Sequence, residues 1–176
     1  NLRILDGDGQ SGYTNDTLFV PLVVQALDLL QNPVAGRSIL FRVASANARF
    51  STGDDQADVI TDFDGRAAVF LILGGSPGRV SVESSVVNAC DSTLNVDFEE
   101  MIVVRPEPTI SAIKPPIAAA EDTVEIHGRH FSFGVTAVRF GADLRLSPSF
   151  RTVGDTLIYA VAPVGVRSGP VEVQTT

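Results

Sequence analysis

The sequence predicts an all-β protein made of two consecutive β-sandwiches. Apolar residues recur at every second position in many short runs, which is the pattern of half-buried strands. Clusters of Gly, Pro, Asn and Asp separate these runs, and no long stretch carries the caps and apolar stripe of a helix. With 176 residues, of which 44% are hydrophobic, the chain is long enough for one domain or two small ones.

In the first part of the chain, turn signals separate the predicted strands. Alternating apolar residues predict strands over residues 18–27, 39–43, 67–73, 80–82 and 96–104. The turn signals are residues 6–9, 32–33, 64–65 and 74–78. Residues 21–31 could also form a short helix, because several of their leucines lie near helical spacing. A strand ending near Leu27 is favoured, because Phe and Val are frequent before it and Asn32-Pro33 closes the segment.

The segment Arg105-Pro106-Glu107-Pro108 predicts a domain boundary. Two prolines at alternate positions stiffen an extended connector and cannot donate hydrogen bonds to a sheet. We therefore expect one domain over residues 1–105 and a second over residues 106–176. The second domain has shorter predicted strands, over residues 109–113, 123–126, 137–140, 156–161 and 170–173.

Charge and cysteine content exclude several classes of function. The chain has 21 acidic and 13 basic residues, a net charge of −8, which repels nucleic-acid backbones and anionic lipid head groups. We therefore expect no nucleic-acid partner and no direct insertion into a membrane. A single cysteine, Cys90, permits neither an internal disulfide nor a cysteine-based zinc site. Cys90 is interpreted as a small buried residue, and the alternative is an exposed thiol that links two chains.

Residues 6–104 contain an ordered set of family-like motifs. These are an opening turn at residues 7–12, Asn32-Pro33-Val34-Ala35-Gly36 before Ile39, Phe41 and Val43, and Asp64-Gly65-Arg66-Ala67. In order and spacing they resemble the bacterial Ig-like domain of the invasin/intimin type (group 1). The resemblance implies an immunoglobulin-like β-sandwich.

The second part resembles another immunoglobulin-like family, the IPT/TIG domain. The similar motifs are residues 108–113 with Pro115, residues 124–128 with Phe131, residues 138–141 and residues 169–173. Glu121-Asp122 stands where that family often has Gly-Gly, which requires a different backbone shape before the first core strand. The resemblance implies a smaller sandwich of the same general fold.

Metal and catalytic signals are weak. Asp54, Asp55, Asp58, Asp62 and Asp64 are calcium candidates by composition. Turn chemistry is the favoured interpretation of these aspartates, so we expect no cofactor. His127 and His130 have no evident third ligand and are expected at the surface.

We also expect no enzymatic activity. The chain has no Gly-x-Ser-x-Gly motif, and Glu99 and Glu100 should point to opposite faces of one strand. A glycan-stacking platform is disfavoured, since the chain has no Trp and only two Tyr.

Leu29 and Leu30 depart from the first family's pattern, in which this turn is usually polar. Two adjacent leucines at the end of a hairpin predict an interface with another module or subunit. The equally weighted alternative is that one of them tucks under the domain as an end plug.

The resemblances imply a non-catalytic module pair of a secreted or cell-surface bacterial protein, used for spacing, presentation or adhesion. One alternative is a subunit of an extracellular filament, sheath or coat that assembles through edge strands or loop contacts. The third hypothesis is a pair of accessory domains of a carbohydrate-active or calcium-dependent extracellular enzyme. The expected partners are other protein modules or subunits, or a host or cell-surface protein or glycan.

Overall fold

The computed structural model describes residues 1–45, 47–87 and 93–175, and most of them lie in β-strands. Two compact units follow one another along the chain, unit 1 over Asn1–Val104 and unit 2 over Arg105–Thr176. Each unit packs two sheets around its own apolar core. The predicted fold class, two tandem immunoglobulin-like β-sandwiches, is confirmed. Cys90 lies outside the described residues.

Unit 1 divides its strands between two main sheets. The strands are β1 (Leu2–Asp6), β2 (Ser11–Tyr13), β3 (Leu22–Ala26), β4 (Ser38–Val43), β5 (Ala48–Phe50), β6 (Gln56–Ile60), β7 (Arg66–Val69), β8 (Leu71–Leu73), β9 (Gly78–Val87) and β10 (Thr93–Val103). One sheet has the order β1-β3-β7, the other has the order β2-β10-β9-β4-β6, and β5 pairs with β8. The strand interpretation of the ambiguous segment at residues 21–31 is confirmed, because β3 ends at Ala26 and a turn follows.

The core of unit 1 lies between its two main sheets. Leu22 and Val24 point inward from β3, while Phe41 and Phe98 point inward from β4 and β10. Phe41 also meets Phe50 edge to face at a centroid distance of 6.3 Å. These side chains bury the large apolar areas that dominate sandwich stability.

A turn over residues 7–10 carries the chain from one sheet of unit 1 to the other. The Gln10 side chain holds this turn, since its Nε2 donates to the Gly7 carbonyl at 2.7 Å and to the Val20 carbonyl at 2.9 Å. Gly7 has φ +88°, and a Cβ at this position would overlap the Pro21 backbone. Glycine is therefore required at Gly7 both for backbone conformation and for close packing.

Unit 2 is a smaller sandwich. Its strands are β11 (Thr109–Lys114), β12 (Thr123–Arg129), β13 (Val135–Phe140), β14 (Arg145–Leu146), β15 (Phe150–Val153), β16 (Leu157–Val161) and β17 (Val171–Thr175), with a 3₁₀ turn at Phe131–Phe133. The sheet orders are β11-β12-β16-β15 and β14-β13-β17. Phe131 is buried against Gly128, where an added Cβ would overlap the phenyl ring.

The two units differ in charge. Residues 1–104 contain six basic and fourteen acidic side chains, whereas residues 105–176 contain seven of each. The net charge of −8 therefore belongs entirely to unit 1, and unit 2 is neutral by this count. Among the described residues, no helix is long and apolar enough to cross a membrane.

Candidate interaction surface

One end of unit 1 carries three large apolar side chains that are almost entirely exposed. Leu29 is 92% exposed, Leu30 is 82% exposed and Phe63 is 98% exposed. We call Leu29, Leu30 and Phe63 the apolar tip. Single exposed apolar residues are common on protein surfaces, but a group of three at the end of a sandwich is typical of an interaction surface.

Strand pairing places the two turns of the apolar tip side by side. β3 and β7 are antiparallel neighbours, with Gln25 opposite Arg66. Beyond this pair, the Ala26 N–H donates to the Gly65 carbonyl at 2.8 Å, and Gln25 Nε2 donates to the Asp64 carbonyl at 2.7 Å. The turn that follows β3 and the turn that precedes β7 therefore lie side by side at the same end of the sheet.

Asp28 organises the turn that carries the two leucines. Its Oδ1 accepts hydrogen bonds from the backbone N–H groups of Leu30 and Asn32, both at 2.8 Å. Its Oδ2 accepts from the Asn32 side-chain amide at 3.1 Å. These bonds, above all those from Asn32, lower the pKa of the Asp28 carboxyl. Neither leucine serves as an end plug, because both point into solvent.

Asp62 plays the same part in the turn that carries Phe63. Its Oδ1 accepts from the backbone N–H groups of Asp64 and Arg66, both at 2.9 Å. The preceding Thr61 ties this turn to the other one, because its hydroxyl donates to the Val34 carbonyl at 2.8 Å. Both turns are thus held by local hydrogen bonds, and neither requires its apolar side chains for stability.

Sequence reasoning identified Leu29 and Leu30 but missed Phe63. The signal was present, since Phe63 immediately precedes the predicted turn at Asp64-Gly65. A large aromatic residue in a turn of this kind has no core to enter. Its proximity to the leucines depends on the pairing of β3 with β7, which is a long-range feature.

The five aspartates proposed as calcium ligands have different local roles. Asp54 and Asp55 lie after β5 and use their carbonyls to accept from Phe50 and Val43. Asp58 lies on β6, and its carboxylate accepts from the Ser38 hydroxyl at 3.3 Å. In the described part of the chain, no three His, Cys, Asp or Glu side chains form a group that could hold a metal ion.

The two histidines also serve different contacts. His127 Nε2 lies 3.1 Å from the Glu125 carboxylate on the same strand. His130 Nδ1 lies 3.0 Å from the Glu107 carbonyl. Each imidazole is therefore held by its own partner.

Glu100 is a buried carboxyl on β10, only 2% exposed, while its neighbour Glu99 is exposed. The prediction that these two side chains point to opposite faces is confirmed. Glu100 Oε2 accepts from the Gln10 N–H at 2.6 Å, and its Oε1 has no hydrogen-bond partner among the described residues. Burial raises the pKa of Glu100 to about 7, with repulsion from Asp8 and Glu99 in the same direction.

Unit 2 has a groove between β11 and β17, which are one outer strand from each of its two sheets. The larger part has a volume of about 600 Å³ and is lined by residues that include Ile110, Ile113, Val166 and Val171. A second part of about 480 Å³ runs along residues 171–174 of β17. We call this space the β11–β17 groove.

No family model and no curated protein matches this chain. Among solved structures, it is similar to fibronectin(III)-like modules of Clostridium thermocellum CbhA, with 13% identity and a TM-score of 0.39 over 93% of this chain and 80% of that one. It is also similar to Bacteroides ovatus SGBP-B in complex with a mixed-linkage heptasaccharide, with 14% identity, a TM-score of 0.30, and coverage of 100% and 44%.

A third similar structure is Dpr2 Ig1-Ig2 in complex with DIP-Theta Ig1-Ig3. The identity is 11% and the TM-score is 0.39, over 99% of this chain and 96% of that one. Values this low carry no inference about the function of the chain.

Proposed function

We propose that this chain is a non-catalytic pair of immunoglobulin-like modules of a secreted or cell-surface bacterial protein, and that it binds a protein partner through the apolar tip. The observation that carries the proposal is the near-complete exposure of Leu29, Leu30 and Phe63 at one end of unit 1. Exposed Leu and Phe side chains cost free energy in water, and a partner that covers them recovers it.

The turns of the apolar tip prepare it for binding. The hydrogen bonds that the Asp28 and Asp62 carboxylates accept hold both turns before any partner arrives. Less conformational entropy is then lost on association, which favours affinity. A complementary surface would be an apolar pocket with basic residues at its rim, because Asp28, Asp62 and Asp64 surround the tip and unit 1 is strongly acidic.

A protein partner is favoured over a glycan. Sugar-binding platforms use flat aromatic surfaces, chiefly Trp and Tyr. The chain has no Trp, and two of the three side chains of the apolar tip are aliphatic. Such a surface suits an apolar protein pocket better than a sugar ring.

The family assignments belong to the same proposal. We assign residues 1–105 to the invasin/intimin-type Ig-like domain and residues 106–176 to the IPT/TIG domain. The motif glycines Gly36 and Gly65 support the first assignment, since they have φ +73° and +70°. Gly128 supports the second, because a side chain there would overlap Phe131.

Site-specific photo-crosslinking tests the partner site. A benzophenone amino acid would replace Phe63 in cells that produce the protein, and the control would replace Phe19. Phe19 is exposed to a similar degree but precedes the start of β3, at the opposite end of that strand. We expect a covalent protein adduct from position 63 and none from position 19. Equal labelling at both positions, or no adduct at position 63, would contradict the proposal.

A second candidate function, a subunit of an extracellular assembly, has support of its own. Within residues 105–175, β17 is an outer strand of its sheet with a groove beside it. Outer strands with free hydrogen-bonding groups are templates for pairing with another chain.

A further inference from the structure

The turn over residues 7–10 connects β1 to β2 and is attached to the edge of β10 that faces away from β9. We call residues 7–10 the β1–β2 turn. The Glu99 N–H donates a hydrogen bond to Asp8 Oδ1 at 3.0 Å, and the Met101 N–H donates to the Gln10 carbonyl at 3.0 Å. While these bonds hold, the β1–β2 turn covers two backbone N–H groups of β10.

The Glu100 carboxyl is held against the β1–β2 turn and is only 2% exposed. Its Oε2 accepts from the Gln10 N–H at 2.6 Å, and its Oε1 has no hydrogen-bond partner among the described residues. An ionised carboxylate can accept several hydrogen bonds, and burial without them costs much more free energy than burial of the neutral acid. The closed turn therefore suits a protonated Glu100 and is unfavourable for an ionised one.

Acidic groups face Glu100 from the turn and from its own strand. Asp8 and Glu99 both repel a negative charge at this position. Asp6, at the end of β1, is a further carboxylate beside the turn, and its Oδ1 accepts from the Gly7 N–H at 2.8 Å. Like charges disfavour the ionised form of a neighbouring carboxyl, so these groups oppose the loss of the Glu100 proton while the turn is closed.

Strand β9 brings no positive charge to the Glu100 carboxyl. The residue opposite Glu100 is Val80, which is fully buried. Its neighbour Arg79 is opposite Met101 and shares with it the other face of the sheet, because directly opposed residues of an antiparallel pair point to the same side.

Strands β1 and β2 contribute one cation and one further titratable group. Arg3 on β1 donates to Gln25 Oε1 at 2.7 Å. Tyr13 on β2 pairs with Val103, three positions beyond Glu100 along β10. Among the described residues of these strands, none therefore compensates a negative charge on Glu100.

We propose that the β1–β2 turn is a proton-controlled latch on β10, which is closed while Glu100 is protonated and opens when Glu100 ionises. Opening lets water reach both carboxylate oxygens and separates Glu100 from Asp8. It also releases the Glu99 and Met101 N–H groups, so that this edge of β10 becomes available to water or to another chain. Burial raises the pKa of Glu100 to about 7, which places the change in the neutral range of pH.

The β1–β2 turn can open without unfolding of the sandwich. Gly7 and Gly9, on either side of Asp8, have φ +88° and +74°, and Asp8 and Gly9 are exposed. Beyond the turn, β10 stays paired with β9, and Phe98 and Ile102 keep their places in the core. Opening therefore requires only a few backbone hydrogen bonds at the surface to break, which is the usual form of local unfolding.

Hydrogen exchange of backbone amides in the full chain, followed by NMR from about pH 5 to about pH 8, tests the proposal. The reporters are the N–H groups of Gln10, Glu99 and Met101. After correction for the pH dependence of chemical exchange, their opening constant should rise about tenfold per pH unit from about pH 5 and level off above about pH 7. It should not depend on dilute urea, because a local opening exposes little surface.

Glu100→Gln cannot ionise and should keep the opening constant at its low-pH value throughout the range. Asp97→Asn, an exposed change on the same strand, is the matched control and should retain the rise.

An opening constant that stays flat in the wild type, or that rises equally in Glu100→Gln, would overturn the proposal. So would an equal urea dependence for the reporters and for the Val82 amide in the central strand β9, since the opening would then be global unfolding. Photo-crosslinking at Phe63 concerns a different turn, so the failure of either proposal leaves the other intact.

Discussion

The outer edges of the two sandwiches explain how units of one general fold come to offer different surfaces. In unit 1, the eleven-residue β10 pairs along β9 and buries Phe98 and Ile102 in the core. In unit 2, β17 is the outer strand and its valines are only half-buried. The pairing of β10 with β9 therefore closes the core of unit 1 on this side.

Glu100 in unit 1 and Asp155 in unit 2 have pKa values shifted in opposite directions. Glu100 in unit 1 is buried, and burial raises its pKa to about 7. Asp155 in unit 2 is half-buried. It accepts from the Ser132 hydroxyl at 2.6 Å and from the backbone N–H of His130 at 3.1 Å, and these bonds lower its pKa. The two groups should make stability depend on pH in opposite directions.

The largest expected effect is on the free energy of unfolding, and it compares a side chain of β10 in unit 1 with one of β17 in unit 2. Phe98→Ala removes a fully buried ring from β10 and should lower the free energy of unfolding by about 3–5 kcal/mol. Val173→Ala removes a half-buried side chain from β17 and should cost about 1 kcal/mol. Urea denaturation in dilute solution measures both. Equal losses would show that the edge of unit 2 is as well packed as that of unit 1.

The second largest expected effect is the pH dependence of folding stability that Glu100 causes. Its pKa of about 7 in the folded state exceeds the ordinary value of 4.5, so the folded state holds the proton more tightly than the unfolded state. The stability that this group contributes is present below pH 4.5 and is lost as the pH rises to about 7.

Glu100→Gln removes the ionisation and retains the shape of the side chain. At pH 8 we expect the variant to be more stable than the wild type by about 2–3 kcal/mol, with no difference near pH 4. Thermal denaturation over this range measures the change. Asp97→Asn, an exposed change on the same strand, is the control and should have little effect. Parallel pH profiles for wild type and Glu100→Gln would contradict the raised pKa.

The smallest expected effect is the pH dependence of folding stability that Asp155 causes. Because its folded pKa lies below the ordinary 3.8, its contribution is present above that value and is lost as the pH falls through the folded pKa. Asp155→Asn should lower the melting temperature at pH 7, by less than the change seen with Glu100→Gln. The two proteins should converge near the acid end of the range. A difference that persists there would assign the effect to packing and not to charge.

Much of the architecture could be predicted from local patterns. The alternation of apolar side chains predicted β3 as a strand in place of a helix, and predicted opposite faces for Glu99 and Glu100. Turn residues predicted the segment at Asp64-Gly65. These features depend on residues close in sequence, because side-chain periodicity and backbone preferences act over a few positions.

The candidate surface could be predicted only in part. Leu29 and Leu30 stood out as adjacent leucines in a turn, but their exposure and the nearby position of Phe63 required the pairing of β3 with β7. The five aspartates proposed as calcium ligands are close together in sequence. In the structure they lie after β5, on β6 and in the turn before β7, and their hydrogen-bond partners differ. The composition of the segment could not show this distribution.

The sequence by itself determined the class of fold, the positions of most strands and turns, and the acidic charge. The tertiary structure decided the burial of Glu100 against Gln10, ninety residues away in the chain, and the grouping of the apolar tip. The physical reason is that a strand's local pattern specifies which side chains share a face. Which neighbour covers that face, or leaves it uncovered, depends on pairing between distant parts of the chain.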